Sequence, residues 1–312
     1  MSKIPFDSRR RAVMRALAAG AAAPMMPALA GTEAGSKALR KPIPATGERI
    51  PVIGLGTSGV FEVGSSEAER RGPLQALAAL QGLGNAMVDT SPMYGEAEQV
   101  IGELLPQLPE PPRFFLATKV WTRGRRAGIA QMNESSRLLG SATIDLMQVH
   151  NLVDWRTHVN TLRDWKARGR IRYIGITHYR EDAHDDLMRV MQAVPDLDFV
   201  QVNYSLLEPA AERSLLPLAL DRGIAIIANR PFVRGGWFSL TRGHSLPAWA
   251  AELGIGSWAQ FGLKWIVSHP GVTCSIPGTG NAKHMLDNMQ AGSGQLLDRA
   301  TRERMRNYLR DI

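Results

Sequence analysis

The sequence predicts a single (β/α)8 barrel, an α/β fold with a short N-terminal hairpin and a C-terminal helix. Three observations carry that expectation. After residue 50, eight short apolar runs alternate with amphipathic stretches of about a dozen residues. Each run is apolar on consecutive residues, as in parallel strands covered on both faces. The length beyond residue 48 also suits such a barrel, whose usual size is about 250 residues.

Taken in order, the runs are 52–56, 86–88, 114–118, 146–149, 173–176, 199–202, 224–227 and 272–276. Between them, 156–166 and 182–191 mix apolar positions with charges, as surface helices do. A last helix is expected over 296–309. The competing architecture is an open dinucleotide-binding sheet, because Gly54-Leu55-Gly56-Thr57-Ser58-Gly59 matches its G-x-G-x-x-G fingerprint. No acid ending a second strand about 20 residues later supports it, so a glycine-rich first strand is the simpler explanation.

Active sites of such barrels lie at the C-terminal strand ends. Four candidates fall there: Asp89 and Tyr94 in Asp89-Thr90-Ser91-Pro92-Met93-Tyr94-Gly95-Glu96, then Lys119 and His150. An acid, a phenol, an amine and an imidazole are what proton transfer to a carbonyl needs. A free phenol, with a pKa near 10, is a poor acid at neutral pH. An ammonium within about 4–6 Å favours the phenolate, and a carboxylate beside it keeps the ammonium charged. Tyr94 is therefore assigned as general acid, Lys119 as its activator and Asp89 as partner to Lys119. A neutral His150 would hydrogen-bond the substrate oxygen. Singly, each has an ordinary explanation in capping, packing or a rim charge; together they point to chemistry.

With these motifs in place, the chain from about residue 49 to 292 resembles an aldo-keto reductase. The Asp89–Tyr94-Gly95 segment is similar to the family's Asp-Thr-x-x-x-Tyr-Gly signature, and Lys119 and His150 match the rest of its tetrad. Gly169-Arg170-Ile171-Arg172-Tyr173-Ile174-Gly175-Ile176-Thr177, Gln201-Val202-Asn203-Tyr204-Ser205 and Ile276-Pro277-Gly278-Thr279 follow in family order. The resemblance implies a nicotinamide cofactor, since no side chain supplies a hydride. It implies Thr177, His178 and Gln201 around the nicotinamide, with His178 where Asn is common. It implies Arg230 and Arg234 at the pyrophosphate, in a loop whose Asn229 stands where many relatives stack an aromatic ring. Thr279, Lys283 and His284 fall where relatives bind the adenosine 2′-phosphate, and Asn288 falls near the adenine. NADP is the expected cofactor. NAD is the alternative, because no Arg offers its planar fork to that phosphate.

The N-terminus reads as a targeting segment. Ser8-Arg9-Arg10-Arg11-Ala12-Val13-Met14-Arg15 is a twin-arginine signature, an Ala-rich stretch follows, and Ala28-Leu29-Ala30 offers a cleavage site. The domains are thus a signal peptide over 1–30, a linker over 31–48 and the barrel over 49–312. The expected partner is the twin-arginine export machinery, and the expected location is periplasmic or otherwise exported. Pro24 and Pro27 break the apolar stretch too often for a stable membrane span. Of the formal net charge of +8, half comes from residues 1–30; the rest is spread among acids, with no basic-aromatic run suited to nucleic acid. Cys274, the single cysteine, permits no intrachain disulfide and sits in the eighth run as a core thiol. No His/Cys cluster has metal-ligand spacing.

The expected substrate is a small aldehyde or ketone held in an open site, with Trp121, Trp155 and a rim element over 237–246 as candidate walls. A second reading is a nicotinamide-binding module that senses without turnover. It has no need of Tyr94, Lys119 or His150.

Overall fold

All eight runs form strands, and the strands close into a barrel. The computed structural model describes residues 38–312 apart from Pro112 and Asp311. A hairpin comes first, with β1 (Arg40–Pro42) antiparallel to β2 (Arg49–Pro51). The barrel strands are β3 (Leu55–Gly56), β4 (Met87–Asp89), β5 (Phe115–Val120), β6 (Ile144–His150), β7 (Ile171–Thr177), β8 (Phe199–Asn203), β9 (Ala225–Asn229) and β10 (Cys274–Ser275). Each pairs in parallel with the next in chain order. Bridges from Ile53 to Ser275 and from Gly56 to Gly278 join first to last.

At that seam β3 and β10 are shorter than expected, because isolated bridges replace a continuous ladder. The seam also explains the G-x-G run. A Cβ on Gly54 would lie 2.7 Å from Met87 O, and one on Gly56 would lie 2.8 Å from Ile276 O. These glycines serve close strand packing, not a phosphate loop.

Helices clothe the barrel: α1 (Glu67–Gln81), α2 (Ala97–Leu104), α3 (Arg125–Leu138), α4 (Trp155–Ala167), α5 (His184–Ala193), α6 (Leu215–Arg222), α7 (Gly236–Leu240), α8 (Trp258–Val267), α9 (Ala282–Gln290) and α10 (Arg299–Tyr308). Caps fix several starts. Ser66 and Glu69 form a capping box at α1, and the Asp298 side chain accepts from Thr301 N, which starts α10 three residues later than the pattern predicted. Among the described residues no helix is long and apolar enough to cross a membrane. The export segment expected over 1–30 lies outside the described residues.

The hairpin corrects one boundary. Its first strand falls inside the stretch expected to be linker, yet it is tied to the barrel. The Lys41 ammonium donates to Val267 O, His269 O and Val272 O, each at 2.7 Å. Ile43 and Ile50 join the apolar cluster of the barrel interior with Phe115, Tyr173 and Phe199. Ordered structure packed on the barrel therefore begins well before residue 49.

Strand alternation sorts the side chains. Val88, Val120, Val149, Ile176 and Val202 face the helices and join the outer core, whereas Met87, Ala117, Leu146, Tyr173 and Ile227 face the barrel axis. Further along that inward face come Asp89, Lys119, Gln148, Thr177, Gln201 and Asn229.

Candidate active site

Those inward polar residues meet at the C-terminal end of the barrel, under a cavity of about 500 Å³. Asp89 ends β4, and His150 ends β6. Contrary to expectation, Lys119 does not end its strand but lies inside it, because β5 runs two residues beyond the apolar run. Tyr94 stands in the turn between β4 and α2 rather than on a strand.

Lys119 is fully buried, and its Nζ donates to Asp89 Oδ2 at 2.7 Å and to Thr90 O at 2.6 Å. Asp89 Oδ1 accepts from Gln148 Nε2 at 3.0 Å and from Gln201 Nε2 at 2.8 Å. A buried ion pair survives only when such donors replace its lost hydration. Burial works against the Lys119 charge, but Asp89 and Tyr94 outweigh it and hold the ammonium above its usual pKa.

The Tyr94 ring centre lies 5.1 Å from Lys119 Nζ, and the His150 ring meets Tyr94 edge-on at 6.0 Å. One expectation reverses here. Burial raises the Tyr94 pKa more than the Lys119 ammonium lowers it, so the resting phenol is a weaker acid than free tyrosine. His150 is pushed down to about 3, first by burial and then by the Lys119 charge, so the ring is neutral.

Thr177, Gln201, Arg230 and Arg234 line the cavity with Tyr94 and His150. Thr177 Oγ1 donates to Gln201 Oε1 at 3.1 Å, and Asn229 Nδ2 reaches the same oxygen at 3.3 Å. Among the described residues, Asn229 Oδ1 is buried without a partner, as is Arg230 Nε. Arg230, Val233 and Arg234 all have left-handed backbone, with φ of 52°, 48° and 51°. For a β-branched residue such as Val233 that conformation is a strained outlier, and strain of this kind gathers at ligand clamps.

Other expected positions fall elsewhere. The His178 ring does not line the cavity; it stacks on Tyr179 at 5.5 Å, and its Nδ1 accepts from Arg180 N. Thr279 accepts from Asn281 N, and Asn288 is buried in α9; neither lines the cavity. Lys283 and His284 are exposed on the first turn of α9, where Asn281 Oδ1 already accepts from both their backbone amides. Those two amides are therefore taken up by the cap.

Of the expected walls, Trp121 is 43% exposed, with its ring 6.3 Å from that of His150. Trp155 carries Arg156 over its ring at 4.4 Å and does not line the cavity. Trp237 does not reach the rim. It is buried and donates its indole N–H to Trp258 O at 2.9 Å, anchoring the loop, while Phe238 lines the cavity.

Several site residues escaped sequence reasoning. Gln148 was passed over inside an apolar run, although a lone polar residue two before His150, on the same inward phase, was the available signal. Gly175 makes room for it, since a Cβ there would lie 2.9 Å from Gln148 Cγ. Glu62, Met93 and Asn151 line the cavity from loops with no such signal.

Several known proteins are similar to this chain. Methylglyoxal reductase YeaE of Escherichia coli (strain K12) is 29% identical over 250 residues, covering 77% of this chain and 84% of that protein. An NADH-specific methylglyoxal reductase of the same strain is 27% identical over 224 residues, covering 62% of this chain and 67% of that protein. The crystal structure of an aldo/keto reductase from Klebsiella pneumoniae in complex with NADP and acetate superposes with a TM-score of 0.72 at 25% identity. It covers 88% of this chain and 95% of that one. The sequence model of the aldo/keto reductase family matches residues 52–306, and so the chain belongs to the aldo/keto reductase family.

Proposed function

We propose that this protein reduces the carbonyl group of small aldehydes or ketones with NADPH, 2-oxoaldehydes such as methylglyoxal among them. The observation that carries the reading is the buried pair Asp89–Lys119 with His150 and the half-buried Tyr94 beside it, opening on one cavity.

The residues present fit a nicotinamide nucleotide. A carboxamide needs both donors and acceptors. Thr177, Gln201 and the unpartnered Asn229 Oδ1 offer them on the cavity floor. Arg230 and Arg234 supply charge for a diphosphate, and Lys283 and His284 are the cations available to a 2′-phosphate. When bound, the nicotinamide supplies the hydride that the carbonyl carbon receives.

The chain's own residues handle the oxygen. As the carbonyl oxygen gains negative charge, the neutral His150 holds it in a hydrogen bond and Tyr94 gives it the phenol proton. The Lys119 ammonium stabilises the phenolate that remains, and Asp89 keeps Lys119 charged and in place. A raised pKa keeps Tyr94 loaded with its proton at neutral pH, so the attraction of Lys119 counts mainly once the proton has left.

The reading extends to location: the protein is exported folded through the twin-arginine route to the periplasm, with 1–30 as signal and part of 31–48 as linker. Its support is the Ser8–Arg15 motif and Ala28-Leu29-Ala30. Replacing Arg9 and Arg10 by Lys should leave the protein in the cytoplasmic fraction; periplasmic recovery of that variant would sink the export reading.

The activity is tested by titrating purified protein with NADPH and with NADH, then adding methylglyoxal and a panel of small carbonyls. Tighter NADPH binding with carbonyl-dependent oxidation is expected. Equal affinities would remove the phosphate role from Lys283 and His284, and absence of turnover on every carbonyl would overturn the proposal.

A further inference from the structure

Ser91 occupies an open position of the Asp-Thr-x-x-x-Tyr motif and has no task in the mechanism above. It is fully buried, and its Oγ lies 3.0 Å from His150 Nδ1. The backbone N–H of Met93 donates to the same oxygen at 3.4 Å. Among the described residues these are its only side-chain hydrogen-bond partners.

A neutral imidazole has one N–H and one bare nitrogen, and the partner of one nitrogen decides which is which. Suppose the proton sat on Nδ1. The ring would then donate to Ser91 Oγ, which already accepts from Met93, and the hydroxyl hydrogen would be left without an acceptor. An unpaired buried hydroxyl is costly enough to bias the population roughly tenfold or more. With the proton on Nε2 every group is satisfied: Met93 N–H donates to Ser91 Oγ, and the Ser91 hydroxyl donates to Nδ1.

We propose that Ser91 is a positioning residue that fixes His150 as the tautomer protonated on Nε2. Nδ1 is taken up behind the ring, so the nitrogen left for the cavity is a donor. A carbonyl oxygen gathering negative charge needs a donor, and the opposite tautomer would present it with a lone pair. Only this last step rests on His150 being the ligand of the substrate oxygen; the tautomer assignment stands on the buried hydrogen bonds.

Nitrogen NMR of the full chain carrying ¹⁵N-labelled histidine tests it, with His150→Gln identifying the resonances by their loss. Wild-type His150 should be protonated on Nε2. Ser91→Ala should shift the ring toward the Nδ1-protonated form and lower kcat roughly 10–100-fold, with NADPH affinity unchanged. Ser91→Thr, which keeps the hydroxyl, should restore the wild-type tautomer. A wild-type ring protonated on Nδ1 would overturn the proposal without any variant having to fold. So would Ser91→Ala with the tautomer unmoved. A moved tautomer with unchanged kcat would uphold the role of Ser91 and overturn the reading of His150 as the carbonyl ligand.

Discussion

The lower and upper halves of the barrel interior use the same strands in the same inward phase, yet they are made of opposite chemistry. Below, the rings of Phe115, Tyr173 and Phe199 meet in a triangle at 5.7, 5.9 and 5.5 Å, with Leu146, Ala225 and Cys274 filling around them. A few residues further along the same strands stand Asp89, Lys119, Gln148, Thr177 and Gln201, all almost fully buried as well. Burial therefore does not separate the halves. What separates them is the kind of partner each side chain finds. The lower half is held by apolar contact, which tolerates no polar atom unpaired. The upper half is held by hydrogen bonds around one ion pair, which link Asp89 to Lys119, Gln148 and Gln201 and Gln201 to Thr177.

Substitutions in the two halves should fail differently. Tyr94→Phe, in the upper half, should lower kcat by about 10²–10⁴-fold. Thermal stability and NADPH affinity should stay near wild type, since the aromatic ring remains. Phe199→Ala, in the lower half, should cost about 3–5 kcal/mol of stability in denaturant unfolding. Turnover per folded molecule should be nearly unchanged. If Tyr94→Phe unfolds the protein, or Phe199→Ala abolishes turnover in molecules that remain folded, the two halves are not separable in this way.

The sequence made the halves unequally legible. Strand positions were readable because double-sided burial leaves continuous apolar runs, and Asp89, Lys119 and His150 stood out as charged or titratable residues at their ends. The register behind them was less plain. Lys119 reads as a terminus because its charge ends the run over 114–118, although β5 continues to Val120. Gln148 was hidden because an apolar run gives no reason to ask what one amide inside it touches. The seam glycines imitated a nucleotide fingerprint, since close strand approach and phosphate binding both demand a missing Cβ. The direction of the Tyr94 shift was out of reach, because it depends on how deeply the loop after β4 is buried, which no spacing in the chain records. The sequence marks Lys283 and His284 as cations for a phosphate but not the Asn281 cap, which occupies the backbone amides of both residues and leaves their side chains to any anion.

Gln148 sharpens the contrast with a smaller effect. Gln148→Leu removes one of two donors to Asp89 Oδ1 and leaves Gln201 and Lys119 in place. Leucine suits the apolar half just below, so the packing cost is small and the lost hydrogen bond dominates, at about 1–3 kcal/mol of stability. Because Asp89 then steers Lys119 less firmly, kcat should fall less than in Tyr94→Phe, and its pH profile should move. Wild-type stability together with a wild-type pH profile would show that Gln201 alone suffices to hold Asp89.

The weakest effect compares two histidines, one at each end of the barrel. Burial pushes His150, at the top, down to about 3, and pushes His269, beside the lower end, down to about 4. Both are neutral when folded and titrate near 6.5 when unfolded, so below that pH the unfolded chain binds more protons. Stability contributed by each is complete above about 6.5 and is lost as pH falls toward the folded value. For His150 the slope is at most about 1.4 kcal/mol per pH unit; for His269, which water still reaches, it is less. His269→Gln should flatten the acid side of the stability curve while the pH dependence of kcat stays as it was. His150→Gln should flatten the same limb and also lose turnover, because only the upper histidine faces the cavity. Melting curves and initial rates across that pH range would decide it. Equal loss of turnover in both variants would mean that the lower end of the barrel reaches the chemistry after all.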